Sequence, residues 1–199
     1  ILPRPVDPEE LEARTRTQIK RKRYADFLKQ KLDYSLEMAV TDALTGLHNR
    51  RYMTSHLEST LNRAAETGKP ASLMVLDIDY FKSINDSLGH HAGDQLLQAV
   101  AIQLRSHLRG ADLVCRISGD EFLVLAEGFH DEAEVRQLAE KLLAAVATPL
   151  DFGRQILSST CSIGIALYPR DGNDFDVLCQ RADLAMYQAK SNGRNHCAF

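Results

Sequence analysis

Two acidic residues stand side by side between two apolar runs, in the sequence Ser-Gly-Asp-Glu-Phe at residues 118–122. Apolar residues alternate with other types before this segment, and residues 122–126 are almost wholly apolar, so the pattern predicts a strand, a tight turn and a second strand. Gly119 supplies the backbone freedom that such a turn needs. The hairpin would present the carboxylates of Asp120 and Glu121, although acids in hairpin turns are more often only solvated.

A second acid follows the apolar run of residues 72–76, because Asp77 ends that run and a short helical pattern comes after it. Buried strands that end in Asp commonly aim the side chain at a site. If this strand and the hairpin are neighbours in one sheet, Asp77, Asp120 and Glu121 converge. A cluster of carboxylates is tolerable mainly when a divalent cation neutralises it, and oxygen ligands favour Mg²⁺ or Mn²⁺ over zinc.

The elements that would position these acids can be outlined from hydrophobic periodicity and from Gly and Pro punctuation. Helices are predicted at residues 50–67, 80–87, 92–107, 131–146 and 175–190. Besides the hairpin, strands are predicted at residues 71–77 and 160–168. This arrangement is typical of an α+β fold, in which helices flank a mixed β-sheet.

The first forty residues are organised differently. Residues 8–40 contain no Gly, no Pro after Pro8 and many good helix formers, which predicts one long helix. A spacing of three and four residues, suited to a seam with another helix, links Ala25, Leu28, Leu32, Ser35 and Ala39. A dimer seam and a helix packed on an upstream domain are equally good interpretations of this pattern.

Composition narrows the function classes. A chain of 199 residues with 44% hydrophobic content suits one compact domain with an extension. A net charge of −3 and a pI near 6.2 give no general attraction to nucleic acid or to an anionic membrane, so phosphate recognition has to be local. No apolar run approaches a membrane span, no secretory signal is recognisable, and the chain begins like an excised fragment. The 4 cysteines lack metal or redox spacing, which favours a cytoplasmic protein.

Several stretches, taken in order from Thr41 to Phe199, resemble the GGDEF family of diguanylate cyclases, of the response-regulator type. The matching stretches are residues 42–51, 77–86, 89–94, 118–122, 162–166 and 182–195. The resemblance implies a nucleotidyl-cyclase palm-like fold and a bacterial signalling enzyme that condenses two GTP molecules into cyclic di-GMP and two pyrophosphates. It also implies that residues 1–41 are a receiver-domain tail and linker helix, with Arg4 where receivers usually have Lys, and that residues 42–199 are the GGDEF domain.

Matched positions carry implied roles. Mg²⁺, or Mn²⁺ as the alternative, is expected at two ions per active site, held by Asp77, the Ile78 carbonyl, Asp120 and Glu121. Asp120 and Glu121 are the expected catalytic acids, with Asp120 as ligand and proposed general base. The expected substrate contacts are Phe81, Lys82, Lys190 and Arg194 for the phosphates, Asn85 and Asp94 for guanine, His90 near the ribose or base, and Gly119 for close backbone approach.

An Arg-x-x-Asp string, Arg109 to Asp112, precedes the signature at the offset of the family's inhibitory motif. As a bare string it is more simply a surface salt bridge. Its position implies a site at which cyclic di-GMP inhibits its own synthesis, and the family's additional Arg falls near Lys141.

One departure concerns Ser118, which stands where the family has Gly. A turn accepts Ser there if the backbone dihedrals lie in the allowed region. The alternative interpretation is a weak or inactive GGDEF domain that acts as a receptor for cyclic di-GMP or GTP, and the retained acids count against it. Since each domain would hold one GTP, the resemblance also implies a catalytic homodimer that an upstream receiver domain controls.

Overall fold

The computed structural model describes residues 8–151 and 156–199. The helices within this part are α1 (Pro8–Val40), α2 (Arg50–Thr67), α3 (Phe81–Leu88), α4 (His90–His107), α5 (Glu132–Val146) and α6 (Phe175–Ser191). The strands are β1 (His48–Asn49), β2 (Ala71–Ile78), β3 (Leu113–Ser118), β4 (Glu121–Glu127), β5 (Leu150–Asp151), β6 (Ile156–Leu157), β7 (Cys161–Tyr168) and β8 (Cys197–Ala198). The chain divides into two compact units, one ending at Ala39 and the other covering Val40–Phe199.

The N-terminal unit is built on α1, which has the predicted bounds. Tyr24, Phe27 and Leu28 are among its exposed apolar side chains. A single helix has no core of its own in which to bury such side chains. Arg4 lies outside the described residues, and so do the side chains of Leu32 and Ser35, so both interpretations of the helix remain predictions.

The second unit is built on a mixed sheet with the strand order β1-β3-β4-β2-β7-β8. β2 lies in the interior of the sheet and runs antiparallel to both β4 and β7. Parallel pairs, β1 with β3 and β7 with β8, join the sheet at its two edges. The predicted α+β fold with a mixed sheet is therefore confirmed, and β5 and β6 form a separate ribbon.

Helices cover β2 on both faces, which is why its sequence is almost continuously apolar. Leu73 belongs to a buried cluster with Leu57 of α2 and residues of α6. Met74, on the opposite face, belongs to a second cluster with Leu97 of α4 and Leu142 of α5. Burial on both faces fixes β2, so the residues at its C-terminal end have a rigid base.

Side-chain caps set the starts of three helices. Asn49, Asp131 and Asp174 each accept a hydrogen bond from a backbone N–H in the first turn of α2, α5 and α6, respectively. α4 begins at His90, two residues earlier than predicted. Across the described residues, no helix is long and apolar enough to span a bilayer.

Candidate active site

The C-terminal end of β2 lies next to the signature hairpin. Asp77 lies directly opposite Glu121 of β4 on one side and Ser162 of β7 on the other. The N–H of Ile78 donates to the carbonyl of Asp120 at 3.3 Å. The signature turn is therefore anchored on the end of β2, and the predicted neighbourhood of β2 and the hairpin is confirmed.

A cleft of ≈ 300 Å³ lies at this end of β2. The predicted site residues that line it are Asp77, Ile78, Phe81, Lys82, Asp120, Lys190 and Arg194. Acidic and basic side chains thus share one small cavity, a composition suited to a polyanion that arrives with a divalent cation.

An ion pair joins the two sides of the cleft. Lys190 Nζ of α6 lies 2.7 Å from Asp77 Oδ1, with the side chains 28% and 12% exposed, respectively. Burial is the main cause that raises the pKa of Asp77 above its ordinary value; Lys190 opposes the rise, whereas the charges of Asp120 and Asp79 add to it. The negative charge at Asp77 is therefore only partly stabilised by the protein itself.

The donor set fits Mg²⁺ held by few protein ligands. Asp77 and Asp120, whose carboxylates are suitable oxygen ligands, line the cleft, and so does Ile78, the residue whose carbonyl is the predicted third ligand. Among the described residues, no group of three or more His, Cys, Asp or Glu side chains could hold a metal by itself. Since Mg²⁺ is commonly bound by one or two carboxylates plus substrate phosphates, a cation that binds together with a nucleotide suits this site.

Glu121 lies opposite Asp77 but is not among the residues that line the cleft. Its Oε2 accepts a hydrogen bond from Ser118 Oγ at 3.2 Å. Burial raises the pKa of Asp183 in α6, and the nearby negative charge of Glu121 raises it further. Glu121 therefore sits beside the cleft, between Ser118 and α6.

The signature turn accepts Ser118 without backbone strain. Gly119 has a φ of 47°, whereas Ser118 is not among the residues with positive φ. Arg116 donates from Nε and Nη2 to the Gly119 carbonyl, at 2.9 and 2.7 Å, and from Nη1 to Asp42 Oδ1, at 3.1 Å. The turn is held in place by this guanidinium, and only its second position requires Gly.

Asp79 is a site residue that the sequence reasoning missed. It is 3% exposed, and its carboxylate accepts from Thr160 Oγ1 at 2.7 Å, Ser162 Oγ at 2.8 Å and the Asn195 N–H at 3.2 Å. It therefore ties the segment after α6 to the end of β2. The available signal was a second acid after the apolar run, two residues beyond the assigned Asp77.

Tyr80 was also missed, although it lines the cleft. Its backbone is in the left-handed region, with φ 59° and ψ 22°, and it precedes α3. The guanidinium carbon of Arg194 lies 4.7 Å from the centre of its ring. No sequence pattern indicated this contact between the start of α3 and the segment after α6.

The predicted guanine contacts lie on α3, whose first residues line the cleft, and on α4. Asn85 is half-buried, and its Oδ1 is buried without a hydrogen-bond partner in the described part of the chain. A Cβ at Gly93 would lie 1.9 Å from this oxygen, so α3 and α4 approach closely only because residue 93 is Gly. His90 and Asp94 are exposed.

The Arg-x-x-Asp string forms a closed turn, in which Asp112 Oδ2 accepts from the Arg109 N–H at 2.8 Å. Burial is the main cause that raises the pKa of Asp112, and hydrogen bonds from the backbone of Arg109 and Glu127 oppose it. Arg109 itself is exposed, and so is Lys141 on α5. The structure thus brings Arg109 and Asp112 together and leaves Lys141 on a separate helix.

Comparison with known proteins places this geometry in context. The family model described as "Diguanylate cyclase, GGDEF domain" matches residues 39–196. The response regulator PleD of Caulobacter vibrioides is 48% identical over 198 residues, which are 98% of this chain and 43% of PleD. The diguanylate cyclase DgcP of Pseudomonas aeruginosa is 45% identical over 166 residues, 82% of this chain and 24% of DgcP. The chain thus spans less than half the length of these relatives.

Solved structures agree with the described fold. The coiled coil and GGDEF domain of DgcB from Caulobacter crescentus, in complex with c-di-GMP, matches 94% of this chain and 98% of that chain, with a TM-score of 0.82 and 29% identity. The GGDEF domain of PA1120 from Pseudomonas aeruginosa matches 79% of this chain and 92% of that chain, with a TM-score of 0.77 and 37% identity.

Proposed function

Because the chain belongs to the GGDEF family of diguanylate cyclases, we propose that it condenses two GTP molecules into cyclic di-GMP and two pyrophosphates. The observation that carries the proposal is the cleft at the end of β2, where Asp77 and Asp120 face Lys190 and Arg194. Acids alone would repel a triphosphate and cations alone would not bind Mg²⁺, so the combination favours a metal–nucleotide substrate.

Substrate phosphates would meet the start of α3 and the end of α6. Phe81 and Lys82 offer backbone N–H groups at a helix N-terminus, where anions bind favourably. Lys190 would leave its ion pair with Asp77 and bind a phosphate oxygen instead. The Arg194 guanidinium would add a second cationic contact to the phosphates. Asn85 would donate from its amide N–H to the O6 and N7 edge of guanine, and the Asp94 carboxylate would accept from the N1 and N2 hydrogens.

A bound Mg²⁺ would supply charge neutralisation for the α-phosphorus at which the 3′-hydroxyl of the second GTP attacks. Asp77, Asp120 and the Ile78 carbonyl are the residues that would hold it, with Glu121 a further proposed ligand and a second ion proposed. Asp120 is less convincing as general base, because a carboxylate that binds a cation is a poor proton acceptor.

The reaction needs two chains, since each domain would hold one GTP. We propose a homodimer in which the half-sites face each other, controlled by an upstream receiver domain in the cytoplasm. The exposed apolar side chains of α1 and the similarity to a response regulator support this arrangement. Raising the effective concentration of the half-sites would then raise the rate.

The experiment that tests the function begins by removing bound cyclic di-GMP with a phosphodiesterase and repurifying the protein. GTP and Mg²⁺ are then followed by chromatography at several protein concentrations. We expect cyclic di-GMP and pyrophosphate to form, at a rate that rises more steeply than linearly with protein concentration.

A rate that is first order in protein concentration would contradict the homodimer. Binding of cyclic di-GMP without turnover of GTP would favour the receptor function. If Ser118→Gly activated a silent protein, Ser118 would be the cause of inactivity.

Two opposite effects are expected from Lys190→Met. Without nucleotide, the affinity for Mg²⁺ should rise about fivefold, because a competing ammonium leaves Asp77. The affinity for a non-reactive GTP analogue should fall by about tenfold, because a phosphate contact is lost. Isothermal titration calorimetry measures both. Lys82→Met is the matched control, since Lys82 also lines the cleft, whereas the salt bridge of Asp77 within the described residues is to Lys190. This variant should lose analogue affinity and leave Mg²⁺ binding unchanged. Parallel losses in Lys190→Met would contradict the exchange.

Feedback inhibition through Arg109 and Asp112 is a further part of the proposal. Arg109→Ala should raise the cyclic di-GMP concentration for half-inhibition by at least about tenfold, because a guanidinium that can bind guanine or phosphate bidentately is lost. Initial rates, measured while a phosphodiesterase removes product, should stay near those of the unmodified protein. Arg105→Ala, which alters an exposed Arg at the end of α4, is the control. Unchanged inhibition in Arg109→Ala would rule out this site.

A further inference from the structure

We propose that Tyr80 is a positioning residue that holds the Arg194 guanidinium ready for the substrate triphosphate. This inference rests on the proposed function, since it concerns how the same cleft binds GTP. Nothing in the sequence reasoning assigned a role to Tyr80. Three observations lead to it: the backbone at both residues, the contact between the ring and the guanidinium, and the absence, among the described residues, of a salt bridge to Arg194.

The backbone conformation and the exposure of Tyr80 are both unfavourable to the stability of the fold. Its φ of 59° is in the left-handed region, which bulky residues rarely adopt. Its side chain makes no capping hydrogen bond to α3 and is 64% exposed. Gly or Asn would suit this backbone better, and a polar residue would suit the exposure. Residues kept in such conformations are concentrated at functional sites.

Arg194 has a fixed backbone but a long side chain. Its N–H donates to the Ala189 carbonyl at 3.1 Å, and the next N–H, of Asn195, donates to Asp79 Oδ2 at 3.2 Å. Its carbonyl lies 2.8 Å from His196 Nδ1. These contacts fix where the side chain starts, yet a guanidinium at the end of four rotatable bonds loses much rotamer entropy when it binds.

The Tyr80 ring removes that freedom without neutralising the charge. The guanidinium carbon lies 4.7 Å from the ring centre, within the range of a cation–π contact. None of the salt bridges among the described residues involves Arg194, whereas Lys190 is held by Asp77. A carboxylate partner would compete with phosphate for the N–H groups. An aromatic face leaves the edge of the guanidinium free to donate to phosphate oxygens.

The test compares the affinities of two ligands by calorimetry, a non-reactive GTP analogue with Mg²⁺ and GMP. Tyr80→Asn keeps a residue that tolerates positive φ and removes the ring; it should weaken analogue binding about two- to fivefold, the range of an exposed cation–π contact. GMP, which lacks the outer phosphates, should bind unchanged. Tyr80→Phe should match the unmodified protein because the ring remains.

A double-mutant cycle separates positioning from a structural role. In an Arg194→Ala background, Tyr80→Asn should cause no further loss of analogue affinity. In turnover, Tyr80→Asn should raise KM and leave kcat nearly unchanged. An equal loss for GMP, or an additive loss in the Arg194→Ala background, would overturn the positioning role. If the unmodified protein binds the analogue and Tyr80→Asn binds it equally well, only this inference fails. If the unmodified protein binds no analogue at all, the proposed function fails, and the positioning role fails with it.

Discussion

Asp120→Asn is expected to lower GTP turnover by at least about 10³-fold, because it removes a charge from the metal-binding pair while keeping the shape of the side chain. The contact that anchors the turn on β2 uses the backbone carbonyl of Asp120, which accepts from the Ile78 N–H. The fold of the hairpin should therefore persist. The variant separates the chemical role of the carboxylate from its place in the turn.

Turnover is measured by chromatography of cyclic di-GMP and pyrophosphate, with circular dichroism and melting temperature to show that the fold is kept. Asp176→Asn is the matched control, since Asp176 is an exposed acid in the first turn of α6. That change should leave turnover nearly unaltered. Retention of more than about a tenth of the activity in Asp120→Asn would mean that this carboxylate is neither an essential ligand nor the base.

Asp79→Ala should lower the free energy of unfolding by about 3 kcal/mol. The buried carboxylate is the acceptor for two hydroxyls and one backbone N–H. Removing it leaves Thr160, Ser162 and Asn195 with donors that have lost their partner, and unsatisfied buried donors are costly. Since the Asn195 contact also fixes Arg194, affinity for a GTP analogue should fall together with stability.

Urea unfolding followed by circular dichroism measures the loss. Ser162→Ala and Thr160→Val each remove one donor and leave the carboxylate in place, so each should cost only about 1 kcal/mol. If Asp79→Ala left the urea midpoint unchanged, the three hydrogen bonds would contribute nothing net to stability. A change in slope rather than midpoint would indicate a change in the unfolded state.

Much of the fold could be predicted from the sequence, because burial of one or both faces imposes a repeating pattern of apolar residues on each long helix or strand. α2 was predicted with its observed bounds, and β2 was recognisable as a strand covered on both faces. Strands such as β1, β5 and β8 are two residues long, and two residues show no period. They form because the sheet edge or a neighbouring segment offers hydrogen-bond partners, which a local pattern does not contain.

The site was predictable where a strand end or a family motif marked it. Asp77 and Asp120 line one cleft because β2 pairs with β4 as far as Asp77 and Glu121, and Asp120 is in the turn just before β4; the hairpin and the apolar run together suggested this pairing. Asp79 was missed because its partners lie 81, 83 and 116 residues away in sequence. Tyr80 was missed for the same physical reason, since its contact with Arg194 exists only after α6 has packed on the sheet.

The Arg116 guanidinium, which joins Asp42 to the Gly119 carbonyl, has a thermodynamic consequence. Asp42 follows the end of α1 by two residues, so the chain just after the long helix and the catalytic turn share one set of hydrogen bonds. Coupling between two sites is reciprocal. If a change in the upstream segment alters the affinity for nucleotide, nucleotide binding must shift the conformational equilibrium of that segment by the same free energy. The Thr45 N–H, which donates to Asp42 at 2.9 Å, should then exchange with solvent more slowly when a GTP analogue is bound. In the proposed cyclase, an upstream signal that moves Asp42 and the binding of nucleotide would then shift the same equilibrium.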